Sequence, residues 1–190
     1  MARRPTAPSH VARPGADGTL DRRWHLARTE AEVPLTELEY ALMRAQEAFS
    51  RWQAECFAAV SGLALSGGEN AMLHVIRLND RPKSLKEIAR LTNRDDVPNL
   101  QYALRKLVKL GLVKLGGSGR ANSVYVVTDA GMQLTDAYAA LRANLLGDYA
   151  QAVPGLDERM RQATQTLDLL SGIYEQAARV AATHRPAHED

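Results

Sequence analysis

Apolar residues recur as Leu38, Leu42, Ala45, Phe49, Trp52, Cys56, Ala59 and Leu63, in alternating steps of four and three. Met160, Ala163, Leu167, Leu170, Tyr174, Ala177 and Ala181 repeat the rhythm near the other end. This spacing draws a single stripe along one side of an α-helix. A helix of that length needs something to cover its stripe, in the same chain or in a second copy. Two such seams confine the chain to a mainly helical protein whose long helices flank whatever lies between. Pro34 and Thr36 open the first helix, and Pro154-Gly155 with Asp157 introduces the last.

Between the seams the pattern is finer. Ser66-Gly67-Gly68-Glu69 and Ser84-Leu85-Lys86-Glu87 both have the S-x-x-E spacing of a capping box, and each predicts a helix start. The first helix turns Met72, Leu73 and Ile76 inward and stops at Asn79, Asp80 and Pro82; the second is short, with Leu85, Ile88 and Leu91 inward. Thr92 to Asp95 is a turn, and Asp96 is the expected N-cap of a third helix with Pro98 in its first turn. Leu100, Leu104, Leu107 and Val108 form its inner stripe, and Gly111 ends it. The period then drops to that of strands at 112–115 and 123–127, joined by a loop of three glycines and Arg120. Thr128 or Asp129 caps a helix running to about Gln151, with Met132, Leu134, Tyr138, Leu141, Leu145 and Tyr149 along its stripe.

Charge is unevenly spread. The formal net charge is +2, yet residues 1–30 carry +3, residues 77–120 carry +7 and the remainder −8. A basic centre between acidic helices suits a polyanion, and it also suits an unevenly charged solvated surface. No apolar run approaches the roughly 20 residues of a membrane span, and the arginines at the start precede no apolar stretch. The single cysteine, Cys56, cannot form an internal disulfide, so a reducing cytoplasm is the expected setting.

The order helix, short helix, turn, helix, basic β-hairpin is the winged helix-turn-helix plan, with the helix after the turn as the reader of the major groove. Three stretches carry a closer likeness: 84–89, 104–113 (with the spacing L-x-x-L-x-x-x-G-L-V) and 126–131, where Thr128 and Gly131 fit the T-x-x-G of L-T-x-x-G and Val127 stands in place of the leucine. From about residue 36 to 180 the chain resembles the MarR family of dimeric winged-helix regulators. The resemblance implies a homodimer built by the first and the last two helices, double-stranded DNA as partner, an inverted-repeat operator, and a small-molecule signal that changes the separation of the two winged domains. At the wing tip the family's D-x-R becomes Ser118-Gly119-Arg120.

The chain is thus expected to divide into a flexible basic arm at 1–33, a dimerisation helix at 34–65 and a winged helix at 66–128, followed by C-terminal dimerisation helices at 129–183 and a polar tail at 184–190. Candidate DNA contacts are Asn99, Gln101, Tyr102, Arg105, Lys106 and Lys109 on the recognition helix, Lys114 and Arg120 on the wing, and Ser84 and Lys86 at the start of the short helix. Asn and Gln suit adenine edges, while the cations suit phosphates. Phe49, Trp52 and His74 are candidates for lining a cleft for a small aromatic effector, or else they are core.

Other classes find less support. G-x-S-x-G, H-E-x-x-H and the P-loop are absent, so no enzyme is expected. His184 and His188 flank Pro186 in a polar tail, so neither a metal nor another cofactor is expected. A protein-binding winged helix, or a redox-sensing regulator acting through Cys56, remains as the alternative.

Overall fold

A computed structural model describes residues 25–117 and 123–184. Its elements are α1 (Val33–Ser61), α2 (Gly67–Arg77), β1 (Lys83–Ser84), α3 (Leu85–Leu91), α4 (Val97–Lys109), β2 (Val113–Gly116), β3 (Val124–Val127), α5 (Asp129–Ala152) and α6 (Leu156–Ala182), with 3-10 turns at Glu30–Glu32 and Leu78–Asp80. Mostly helix with a small wing is the architecture expected from the sequence. The chain forms two compact units, Met1–Arg51 and Trp52–Asp190, which divide inside α1.

In the first unit, Arg44 lies over the Tyr40 ring at 5.7 Å, one helical turn away. Leu35, Met43 and Phe49 are exposed. The helix ends at Ser61, two residues before the last apolar member of the seam. There the Ser61 hydroxyl donates to the Phe57 carbonyl at 2.7 Å and accepts from Leu63 N–H at 3.0 Å.

The second unit holds the core. Cys56 and Phe57 of α1 meet Met72, Leu73 and Ile76 of α2, Ile88 of α3, and Leu100, Ala103, Leu104 and Leu107 of α4. Leu112, Val113, Val127 and Tyr138 close it. Val108 was expected on the inner stripe of α4 but is 37% exposed. One residue along a helix is about 100° around it, so burial of Leu107 turns Val108 outward. Leu91, likewise expected inward, is exposed at the end of α3.

Both capping-box spacings start helices, but differently. Ser66 Oγ accepts from Glu69 N–H at 3.2 Å and Glu69 Oε2 accepts from Ser66 N–H at 2.8 Å, completing the box. Ser84 Oγ accepts from Glu87 N–H at 3.2 Å, while the Glu87 carboxylate is taken by Arg81 instead.

The sheet has the order β1-β3-β2, all antiparallel. Val113 pairs with Val127 and Leu115 with Tyr125 in the wing, and β1 joins through Lys83 with Tyr125. At two residues, β1 is too short to leave an alternation in the sequence. Lys83, counted above in the basic centre, is fully buried. Its Nζ donates to the carbonyls of Ile76 (3.0 Å), Arg81 (3.1 Å) and Leu78. These carbonyls belong to the end of α2 and the turn beyond it, where Asn79 and Asp80 adopt φ of 60° and 46°. A cation among carbonyls at a helix end offsets part of its own desolvation and of theirs.

The T-x-x-G motif has a structural reason. Thr128 N–H donates to Leu112 O at 3.0 Å, its hydroxyl donates to Gly111 O at 2.6 Å, and the same oxygen accepts from Gly131 N–H at 3.1 Å. A Cβ at position 131 would stand 2.2 Å from Leu112 O and 2.7 Å from Val127 Cγ2. Gly131→Ala is therefore expected to destabilise the fold by about 3 kcal/mol, the upper part of the range for overpacking. Urea unfolding checks this, because Gly147→Ala, in open space on the same helix, should instead be neutral or stabilising.

Candidate nucleic-acid interface

Burial of Leu100, Ala103, Leu104 and Leu107 sends the other side of α4 into solvent. Asn99, Gln101, Arg105 and Lys109 are exposed there, and Tyr102 is 64% exposed. Asp96 stands at the N-cap position but makes no side-chain cap. Its carboxylate is engaged by Arg94, Nε to Oδ1 at 2.9 Å and Nη2 to Oδ2 at 2.6 Å, and by Asn99 Nδ2 at 3.2 Å. The pair with Arg94 holds the Asp96 carboxyl below its ordinary range.

The structure sorts the basic residues of the centre into two groups. Arg77 reaches across to α5, with Nη1 donating to Met132 O (3.0 Å) and Thr135 Oγ1 (2.5 Å) and pairing with Asp136 (2.7 Å). Arg81 pairs with Glu87, Arg94 with Asp96, and Lys106 with Glu69 at 2.6 Å. Lys83 is sealed inside. Lys106, a candidate DNA contact, is thus tied to the capping-box carboxylate of α2. Lys86, Arg90, Arg105, Lys109 and Lys114 are exposed and make no ion pair with any described residue.

Several of these meet at one place. A cleft of about 490 Å³ is lined by Ser84, Leu85 and Lys86 from β1 and the start of α3, Gln101 and Arg105 from α4, and Leu115, Ser123 and Tyr125 from the wing. A narrower groove continues past Val108 and Lys109. Leu115 and Tyr125, a cross-strand pair, line both and were not among the residues singled out from the sequence. Only the change of period in the strands hinted at them. Lys114, the neighbour of Leu115, is exposed on β2. Arg120 and Ser118 lie outside the described residues.

The proposed effector residues are spread over both units. Phe49 is in the first and is 58% exposed. Trp52 and His74 are in the second and half-buried. The His74 ring sits 4.6 Å from that of Tyr138. Its Nε2 and Asn70 Oδ1 are buried without a partner among the described residues. Cys56 is 3% exposed, and burial pushes its thiol above the ordinary range. A thiol held in its protonated form is a poor oxidant sensor. Among the described residues no group of His, Cys, Asp and Glu could hold a metal ion. His188 lies outside them.

Burial, with Arg77 close by, holds the His74 imidazole below its usual value near 6.5. As pH falls through 6.5 the unfolded chain takes up a proton that the folded one refuses, so stability falls there. The melting temperature should therefore drop between pH 7 and 5, and His74→Phe should flatten that slope in scanning calorimetry.

Residues 65–131 match the family described as winged helix DNA-binding domain. No curated protein matches the chain. Among solved structures it resembles the transcriptional repressor CouR bound to a 23-mer DNA duplex, at 25% identity and TM-score 0.58, over 73% of this chain and 96% of that one. Staphylococcus aureus MarR in complex with salicylate and kanamycin aligns at 13% identity and TM-score 0.61, over 77% and 96%. A MarR family transcriptional regulator from Rhodococcus sp. RHA1 aligns at 16% and 0.58, over 76% and 98%. Residues 65–131, from just before α2 to the first turn of α5, thus form a winged helix DNA-binding domain, in a chain whose fold is similar to that of MarR family regulators.

Proposed function

We propose that this protein regulates transcription as a homodimer bound to an inverted-repeat operator. The observation that carries the reading is the cluster of cations, Lys86, Arg105, Lys109 and Lys114, that have no ion pair among the described residues and lie around the exposed face of α4 and the wing. Asn99, Gln101 and Tyr102 on that face are suited to base edges and thymine methyls. Arg120 joins them from the wing tip in this reading, and Ser84 from the cleft. Lys106 stays with Glu69 and steadies the helix. The CouR structure with DNA supports the assignment.

Self-association is supported by the apolar surface that one copy leaves uncovered. No residue of α6 is buried; Met160, Leu167, Leu169, Ile173 and Val180 are 40% exposed or more, as are Leu145 and Tyr149 of α5. A 27-residue helix in that condition needs a partner surface. A second copy supplies it and presents two recognition helices about one turn of DNA apart.

An aromatic acid as effector, contacting Trp52 and His74 of the second unit, is supported by the salicylate complex of the S. aureus protein and by the Asn70 and His74 atoms left without a partner among the described residues. The working place is then the cytoplasm, on the nucleoid. No helix among the described residues is long and apolar enough to cross a membrane.

The test is a titration into the DNA upstream of its own coding sequence and into a scrambled duplex, at salt from 50 to 200 mM. Preference for the first, with affinity falling by about 10³ or more across that range, is expected. Lys86→Ala, Arg105→Ala, Lys109→Ala and Lys114→Ala should each flatten the log–log salt slope by about 1 per DNA-facing copy. Salt-independent binding, or none at any salt, would overturn the reading.

A further inference from the structure

The Asp96 carboxylate does more than brace the turn before α4. It is ionised and so accepts only. Arg94 donates to both of its oxygens, and Asn99 Nδ2 also donates to Oδ2, at 3.2 Å. The reverse orientation of the Asn99 amide would set its carbonyl oxygen against a carboxylate oxygen, acceptor against acceptor. The amide therefore has one orientation, with NH₂ toward Asp96 and Oδ1 away from it. Oδ1 has no partner among the described residues, and the side chain is exposed. Asn99 is the third residue of α4, and the first turns of a recognition helix supply its base contacts.

An unconstrained asparagine can turn either its donor or its acceptor to a base, because its amide flips. A fixed carbonyl does not. In the major groove adenine N6 and cytosine N4 are donors, whereas guanine N7 and O6 and thymine O4 are acceptors. We propose that Asp96 is a specificity-determining residue that locks Asn99 with its carbonyl outward, so that Asn99 selects a base carrying an exocyclic amino group, adenine or cytosine, over guanine or thymine. This rests on the DNA-binding reading above. It goes beyond the expectation that asparagine suits adenine edges, and it makes a residue that never touches the base responsible for the choice.

The experiment is affinity selection from a pool of random duplexes with the full chain. It uses wild type, Asp96→Asn, Asn99→Ala and the double variant. Wild type should enrich a two-half-site consensus in which one position per half-site favours adenine or cytosine by about tenfold. Asn99→Ala should lose that preference and keep the others. Asp96→Asn is of equal size, still accepts from Arg94, and lets the Asn99 amide flip. It should keep the consensus elsewhere while the four bases come within about threefold of one another at that position. In the Asn99→Ala background Asp96→Asn should change no base preference.

A second arm changes the DNA in place of Asp96. The selected base is replaced by its analogue lacking the amino group, and wild-type affinity should fall by about tenfold while that of Asn99→Ala stays level. Retention of the full preference by Asp96→Asn, guanine or thymine as the favoured base, or indifference of wild type to the analogue would overturn the proposal. Failure of wild type to enrich any sequence would instead overturn the DNA-binding reading, and this inference with it.

Discussion

One hydroxyl holds together the parts of this fold that must keep fixed angles. Thr128 reaches back to Gly111 at the end of α4, its amide bonds to Leu112 at the entry of the wing, and its oxygen receives the Gly131 amide in the first turn of α5. Recognition helix, wing and long helix meet within one residue's reach. Gly131 allows it, because α5 approaches Leu112 too closely for any Cβ. Two motifs nearly twenty residues apart are thus two sides of one junction. A change of α5 relative to the wing has to pass through this junction.

A second ordering principle is the separation of structural from available charge. Arg77, Arg81, Arg94 and Lys106 are spent on carboxylates, and Lys83 on the carbonyls at the end of α2. What remains exposed near the cleft, without an ion pair among the described residues, is a smaller set on the helix, the wing and the start of α3. Charge counted along the chain overstates what a polyanion meets, and pairing decides the difference. The same logic applies to Asn99, whose amide has one of its two faces already committed to Asp96.

Much of this was legible in the residues themselves. The heptad steps predicted α1 and α6, the S-x-x-E spacings predicted the starts of α2 and α3, and the change of period predicted the wing. The rest was hidden for physical reasons. Lys83 has the composition of a surface residue, and only the fold brings three carbonyls to its ammonium group. Asp96 has the identity of an N-cap, but the nearby guanidinium of Arg94 is the stronger partner for its carboxylate. Glu69 has the spacing of a capping-box residue and also reaches Lys106, 37 positions away, which no local pattern encodes. The seams name which faces are apolar without naming what covers them.

In the proposed reading, the polar face of α4 and the basic groove meet DNA, and the exposed apolar residues of α5 and α6 meet a second copy. The most direct test is hydroxyl-radical footprinting of the full chain on a duplex that it selects. Two protected tracts on one face of the DNA, centred about one helical turn apart, are predicted. A single tract, or uniform weak protection along the duplex, would contradict the account.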